Sequence, residues 1–371
     1  MRSGSGSSGY PDSSMSDAAT LEAIRRVEQT PLRELVNVSV EDVTTQMDSL
    51  LDPSLDSASF YHRWETQQWA VSDLDFSKDV VDWANIPPTV QKTLRTTMIL
   101  FFVGEQIVTD TLAPVLHAAP LEDERIFLAT QVADEARHTV FFQRFFAEVM
   151  GHEGGIHTAM AEFRPKTRAG YRRIFDVELV NAIDRCRLDP KDPVAFVEAV
   201  VTYHLVIEGY LALGGQRTVL RLLRRIGVLP GFINGFTAVA RDESRHIGFG
   251  VLALRRRVAE NPEMGRVIAK KIYDLLPAAV DVVVGPDEKL PFNDISEVPE
   301  PMRVNPLEAR DFAIESLTKR LRAVGLTDRI VDEIGDQMRS LYIAAWARYE
   351  ETHGGEHPVR HWERLRTTAP V

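Results

Sequence analysis

Four stretches of about thirty residues carry apolar side chains at helical spacing: Pro88–Leu116, Pro120–Met150, Pro193–Ile226 and Leu229–Glu260. In the first, Ile99, Phe102, Val103 and Ile107 recur every three or four positions, the period of one face of an α-helix. Prolines stand at or near the starts, where a missing N–H costs nothing. Pro87-Pro88 and Leu229-Pro230-Gly231 read as breaks between helices. Shorter helical patterns cover about Thr167–Cys186, Met264–Val284, Pro306–Val324 and Asp328–Thr352, whereas Pro286–Val304, with four prolines among scattered acids, reads as a loop crossing the bundle surface. Strand patterns are few. The expected fold is all-α, a long helical bundle with additional C-terminal helices.

Within two of the long helices lie near-copies of one pentapeptide, Asp134-Glu135-Ala136-Arg137-His138 and Asp242-Glu243-Ser244-Arg245-His246. On a helix, positions i and i+3 lie about 60° apart, so each Glu and His can converge on one ion. The other two long helices each embed a carboxylate in strongly apolar sequence, Glu105 and Glu208. A lone buried carboxylate costs several kcal/mol, a penalty that coordination to a cation offsets. Two Glu-x-x-His pairs with one further Glu from each of two helices form the ligand set of a di-iron or di-manganese bundle. Glu105, Glu135, His138, Glu208, Glu243 and His246 are therefore the candidate ligands, with Glu135 and Glu243 expected between the two metals. A single Glu-x-x-His is usually a solvated helix face; the repeat and the paired apolar-embedded glutamates separate this chain from that case. Oxygen and imidazole donors without thiolate suit iron or manganese, and zinc is compatible with the same ligand types.

Asp134 and Asp242 are candidate acceptors for the histidine N–H groups, the partners that ligating histidines nearly always have. Arg137 and Arg245 are expected to pair with these acids in a structural role. His204, four residues before Glu208, is a rival ligand by spacing, although a packed or hydrogen-bonded histidine is the more ordinary reading.

Composition narrows the remaining classes. With 44% hydrophobic and 26% charged residues the chain can bury a sizeable core. Lys and Arg number 43 against 54 Asp and Glu, and a net charge of −11 makes nucleic acid a poor partner. Cys186 is the single cysteine, so no intrachain disulfide forms, in keeping with a cytoplasmic protein. No run of about 18 uncharged apolar residues and no signal-peptide order is present. The Gly/Ser-rich opening is set apart as a leader (residues 1–20), followed by a single expected domain over 55–352 and a tail over 353–371. A homodimer is the default oligomer.

Together these motifs resemble the ferritin-like superfamily branch that contains ribonucleotide reductase small subunits and their ligand-binding oxidase relatives. Trp69-Ala70-Val71-Ser72-Asp73-Leu74-Asp75-Phe76-Ser77 is similar to the segment before the first ligand helix in that branch, with Val71 where proline is common. Glu208-Gly209-Tyr210-Leu211-Ala212-Leu213 and Leu229-Pro230-Gly231 resemble the oxidase relatives more specifically. The oxidase resemblance implies a manganese/iron or di-iron pair that activates O2, a long-chain fatty acid in a tunnel, and an ether cross-link between Val108 and Tyr203. Val108 follows Glu105 by three positions and shares its face; Tyr203, five before Glu208, lies about 140° away on an ideal α-helix, so its approach to the metals rests on the resemblance, with a local helix distortion as one route. Radical-storing reductase subunits carry a tyrosine where Phe142 stands, and use a tyrosine near a flexible C-terminus, whereas the last tyrosine here, Tyr349, lies in an expected helix. An oxidase is favoured over the alternatives, a reductase small subunit without a stored tyrosyl radical or a di-iron N-oxygenase. A ferritin-type iron store would need a shorter, cage-forming bundle.

Overall fold

The computed structural model describes residues 17–292 and 294–368, and within them every regular element is a helix or helical turn. The chain begins with α1 (Asp17–Gln29), α2 (Val40–Ser49), α3 (Ser57–Thr66) and α4 (Ser77–Asn85), short helices for which the apolar pattern alone makes no prediction. Their starts are set by side-chain caps: Ser39 accepts the Asp42 N–H at 2.9 Å and Asp56 the Ser59 N–H at 2.8 Å. The described helix α1 starts inside the segment set apart as a leader; the rest of that leader lies outside the described residues.

Next come α5 (Pro88–Thr111), α6 (Ala113–Ala118), α7 (Glu122–Glu148) and α8 (Ile156–Phe163). The expected helix Pro88–Leu116 thus ends five residues early: Leu112 closes α5 and Pro114, at the start of α6, cannot continue its hydrogen-bond ladder. Glu122, Asp123 and Glu124 fill the first turn of α7, where negative charge suits the helix dipole.

A third long helical stretch joins α9 (Ala169–Arg172), a π-helical run over Arg173–Leu179 and α10 (Val180–Leu188). The fourth joins α11 (Pro193–Val200), a π-helical run over Val201–Ala212 and α12 (Leu213–Ile226), where the periodicity predicts one uniform α-helix. Within Pro193–Ile226 an 18-residue window is apolar enough by composition to cross a membrane, but 83% of that window is buried inside the bundle. Its hydrophobicity belongs to the core.

At the centre lies α13 (Pro230–Glu260), most of whose residues are buried, followed by α14 (Met264–Val284), α15 (Pro306–Val324), α16 (Asp328–His353) and α17 (Val359–Thr368). The connection Pro286–Val304 is a loop with two single 3-10 turns among its described residues. Residues set apart as a tail include α17, whose Val359 is fully buried and whose Arg360 bridges to Glu350 at 2.8 Å.

The start of α13 is built by two other segments. Leu229 takes up a left-handed conformation (φ 57°) and its N–H bonds to Asp82 at 2.8 Å. Asp79 of α4 then accepts the N–H groups of Gly231 and Phe232 at 2.9 and 2.6 Å, doing from another helix what a cap residue normally does. Residue 231 must be glycine, because a Cβ there would sit 2.2 Å from the Asp75 carbonyl oxygen. Replacing Asp79 by Ala orphans two buried donors and should lower unfolding free energy by about 1–3 kcal/mol, with Asp79→Asn losing less. Chemical denaturation of the three proteins measures this.

Candidate metal centre

Glu105 comes from α5, Glu135 and His138 from α7, Glu208 from the π-helical run Val201–Ala212, and Glu243 and His246 from α13. The six side chains meet inside the bundle in two overlapping groups, Glu105–Glu135–His138–Glu243 and Glu135–Glu208–Glu243–His246, with ligand atoms in each group within 4.8 Å of one another. Both histidines are fully buried.

The two groups share a plan. His138 Nδ1 lies 3.2 Å from Glu105, 3.5 Å from Glu135 Oε2 and 3.4 Å from Glu243 Oε1. His246 Nδ1 lies 3.3 Å from Glu208, 3.2 Å from Glu135 Oε1 and 3.5 Å from Glu243 Oε2. Glu135 and Glu243 each turn one oxygen to one histidine and the other oxygen to its counterpart. Glu105 and Glu208 each serve one side. This is the arrangement of two ion positions with a pair of carboxylates between them.

The outer nitrogens of the histidines cross over between the repeats. His138 Nε2 meets Asp242 at 3.1 Å, and His246 Nε2 meets Asp134 at 3.2 Å. Each aspartate thus holds the histidine of the other helix. Arg245 spans both acids, at 3.0 Å from Asp134 and 2.7 Å from Asp242, and Arg137 does the same, at 2.9 Å from Asp242 and in contact with Asp134. Two indoles complete the layer: Trp64 donates to Asp134 at 3.0 Å and Trp69 to Asp242 at 2.8 Å. Spacing along the chain gives no sign of the Trp64 contact, since α3 meets α7 only through the fold.

Tyr203 reaches the centre, its hydroxyl donating to Glu135 Oε1 at 2.5 Å. The π-helical run explains how. Its hydrogen bonds link residues i and i+5, so Tyr203 and Glu208 stand about one turn apart instead of on divergent faces. Val108 is buried on α5, three residues beyond Glu105. His204 lies in neither ligand group; its Nε2 bonds to Gln131 Oε1 at 3.1 Å, and Gln131 donates to Glu208 Oε1 at 2.9 Å. Gln131 was legible in principle, one helical turn before Glu135 on the same face.

Burial and mutual charge shift the carboxyls and imidazoles of the cluster. Burial pushes the Glu105 and Glu208 carboxyls well above the ordinary range. Burial also opposes ionisation of Glu135, but the close approach of the His138 and His246 imidazoles overcomes it and holds that carboxyl well below its ordinary range. Both histidines, despite burial, are raised well above theirs, His138 chiefly by Glu105 and His246 by Asp134 and the glutamates. Glu208 Oε2, Glu243 Oε2 and His246 Nδ1 are buried without a hydrogen-bond partner among the described residues. Two divalent cations would match the four glutamates in charge and occupy those lone pairs, and an all-oxygen-and-imidazole set suits iron or manganese. The residues fit the group.

The ribonucleotide reductase small-chain family matches residues 55–284. Among solved structures, a tyrosine-to-phenylalanine variant of an R2-like ligand-binding oxidase with an anaerobically reconstituted Mn/Fe cofactor is similar at 25% identity. It has a TM-score of 0.62 and covers 74% of this chain and 96% of its own. A valine-to-isoleucine variant of an R2-like ligand-binding oxidase with an aerobically reconstituted Mn/Fe cofactor superposes with a TM-score of 0.64 at 24% identity over the same shares. A glycine-to-leucine variant carrying a non-activated Mn/Mn cofactor matches at 24% identity, with a TM-score of 0.62 over 74% of this chain and 95% of its own.

Metal loading should release protons. Glu105, Glu208, His138 and His246 all hold protons more tightly than usual in the metal-free protein, whereas coordination needs them deprotonated. Affinity for Mn(II) should therefore fall as pH is lowered. Calorimetric titrations in buffers of different ionisation enthalpy should give different heats; identical heats would show that the cluster is already deprotonated.

Proposed function

Because the chain belongs to the ribonucleotide reductase small-chain family, we propose that it is an O2-activating di-metal oxidase whose centre is held by Glu105, Glu135, His138, Glu208, Glu243 and His246. The observation that carries this reading is the pair of half-sites joined by Glu135 and Glu243, each offering one oxygen to each side. Manganese and iron, or two irons, supply the redox chemistry when bound. The chain's residues do the rest. Asp134 and Asp242 orient the imidazoles, Arg137 and Arg245 pair with those acids, and Trp69 and Phe141, in edge contact at 6.3 Å beside His138, are part of the apolar wall that excludes water.

The finer part of the proposal is a long-chain fatty acid or similar apolar acid as ligand, with a Val108–Tyr203 ether cross-link. The Tyr203 hydroxyl already lies at the bridging carboxylate, and Val108 occupies the face of α5 that Glu105 presents. The link joins the Val108 side chain to the Tyr203 oxygen, breaking one C–H and one O–H bond with loss of two protons and two electrons, which O2 accepts. An oxidase is preferred to a reductase subunit on a specific contact: Tyr349 is packed within α16, where its hydroxyl receives the Leu290 N–H at 3.3 Å, and so is held in the bundle. Phe142 is likewise locked among Phe101, Phe141, Phe146, Phe232 and Phe236. A reducing compartment suits the lone, buried Cys186, and a homodimer is the default assembly.

Replacing Glu135 by Ala should empty at least one metal position, read by metal analysis of folded protein; two metals at unchanged affinity would refute the ligand set. Aeration of protein reduced and loaded with Mn(II) and Fe(II) should lower the intact mass by two hydrogens and join the Val108 and Tyr203 tryptic peptides, and Tyr203→Phe should abolish the link while keeping the metals. Denaturing extraction should recover a long apolar acid. Metal-loaded protein with no acid, no uptake of added fatty acid and no cross-link would favour the reductase or N-oxygenase alternatives.

A further inference from the structure

The two half-sites are near copies in their ligands but not in what stands behind them. Glu208 Oε1 receives the Gln131 amide at 2.9 Å, and the Gln131 carbonyl in turn accepts from His204 Nε2 at 3.1 Å. All three side chains are buried. Burial holds His204 down to about 3, so the ring is neutral; with the Gln131 NH2 on Glu208, the Gln131 carbonyl faces Nε2, an arrangement that the Nε2–H form of the ring satisfies. The histidine is seated tightly: a Cβ at position 250 would lie 2.3 Å from the His204 Cβ, so only glycine fits opposite it. Glu208 is thereby fixed through Oε1, and Oε2 is the oxygen without a protein partner.

The other half lacks this support. Gln131 stands four residues before Glu135; the matching position, four before Glu243, is Val239. His204 stands four before Glu208; the matching position before Glu105 is Phe101, whose ring packs on Phe142 and Phe236. Glu105 is bonded through Oε2 to His138, itself a ligand candidate, with no amide behind it among the described residues.

We propose that Gln131 and His204 form a clamp that makes the two positions unequal, so that the Glu208–Glu243–His246 half takes up its divalent ion first and more tightly, while the Glu105 carboxylate is free to move. The inference rests on the di-metal reading. Pre-ordering a ligand removes part of the cost of organising it at the moment of binding. Gln131 and His204 are positioning residues; neither is offered as a ligand.

The test is a titration of metal-free protein with Mn(II), followed by electron paramagnetic resonance of the free ion and by calorimetry. Wild type should bind in two resolved steps, the first abolished by Glu208→Ala and retained in Glu105→Ala. Gln131→Met keeps the shape but removes the hydrogen bonds, and should weaken the first step about tenfold while moving the second by less than about threefold. His204→Phe, which leaves Gln131 unanchored, should weaken the first step by a smaller factor. A general loss of structure would weaken both steps together, so the selective effect separates positioning from folding. Two unresolved equal steps, loss of the first step in Glu105→Ala, or unchanged binding in both Gln131→Met and His204→Phe would overturn the clamp. Absence of any Mn(II) binding to folded wild type would overturn the di-metal reading itself.

Discussion

Four glutamates gathered in the dry middle of a helical bundle lose their hydration and repel one another, and the rest of the centre answers that cost. Left alone, each would demand several kcal/mol. Protons answer part of the cost, because burial keeps the Glu105 and Glu208 carboxyls protonated beyond their usual range. Imidazolium charge on His138 and His246 answers more. Neither satisfies the orphaned oxygens of Glu208 and Glu243, which two cations would do. A fold that concentrates negative charge in this way is most stable when that charge is met by metal.

The surrounding layer must stay rigid for the histidines to point inward. Crossing of the contacts achieves this: Asp134 of one repeat holds His246 of the other, and Asp242 holds His138. Neither helix can shift along its axis without breaking a bond on both sides. Arg137 and Arg245 bridge the two acids, so the layer is close to neutral, and indoles from the segment before the first ligand helix close it. Asp79 then ties the start of α13 to α4, fixing the register of the helix that carries Glu243 and His246.

The π-helical run Val201–Ala212 reconciles two demands that an α-helix cannot meet together. Glu208 must face its half-site, and the Tyr203 hydroxyl must meet Glu135. An interval of five residues brings both to the centre only when the turn is widened. The same widening carries His204 to Gln131, so one local distortion serves a ligand candidate, a tyrosine at the bridging carboxylate and the support behind Glu208.

The all-α class, the six ligand candidates and the role of the two aspartates as histidine partners were open to reading from the chain alone. Helical periodicity places Glu135 beside His138 and Glu243 beside His246, and a carboxylate flanked by apolar residues announces its own burial cost. These are local properties, set by spacing of three or four residues. What the chain alone could not decide involves partners far apart in sequence. Which aspartate serves which histidine depends on how α7 and α13 cross; Trp64 meets Asp134 only because α3 lies against α7; and Asp79 caps a helix more than 150 residues away. The π-helical run also escaped the pattern, because residues that are buried all round show no face by which a 3.6-residue turn can be told from a wider one. The inequality of the two half-sites belongs to the tertiary structure as well. Gln131, Val239 and Phe101 are unremarked side chains in the sequence and His204 reads there as a packed histidine or a rival ligand; they become a difference between two metal positions only when the fold sets them behind Glu208 and Glu105.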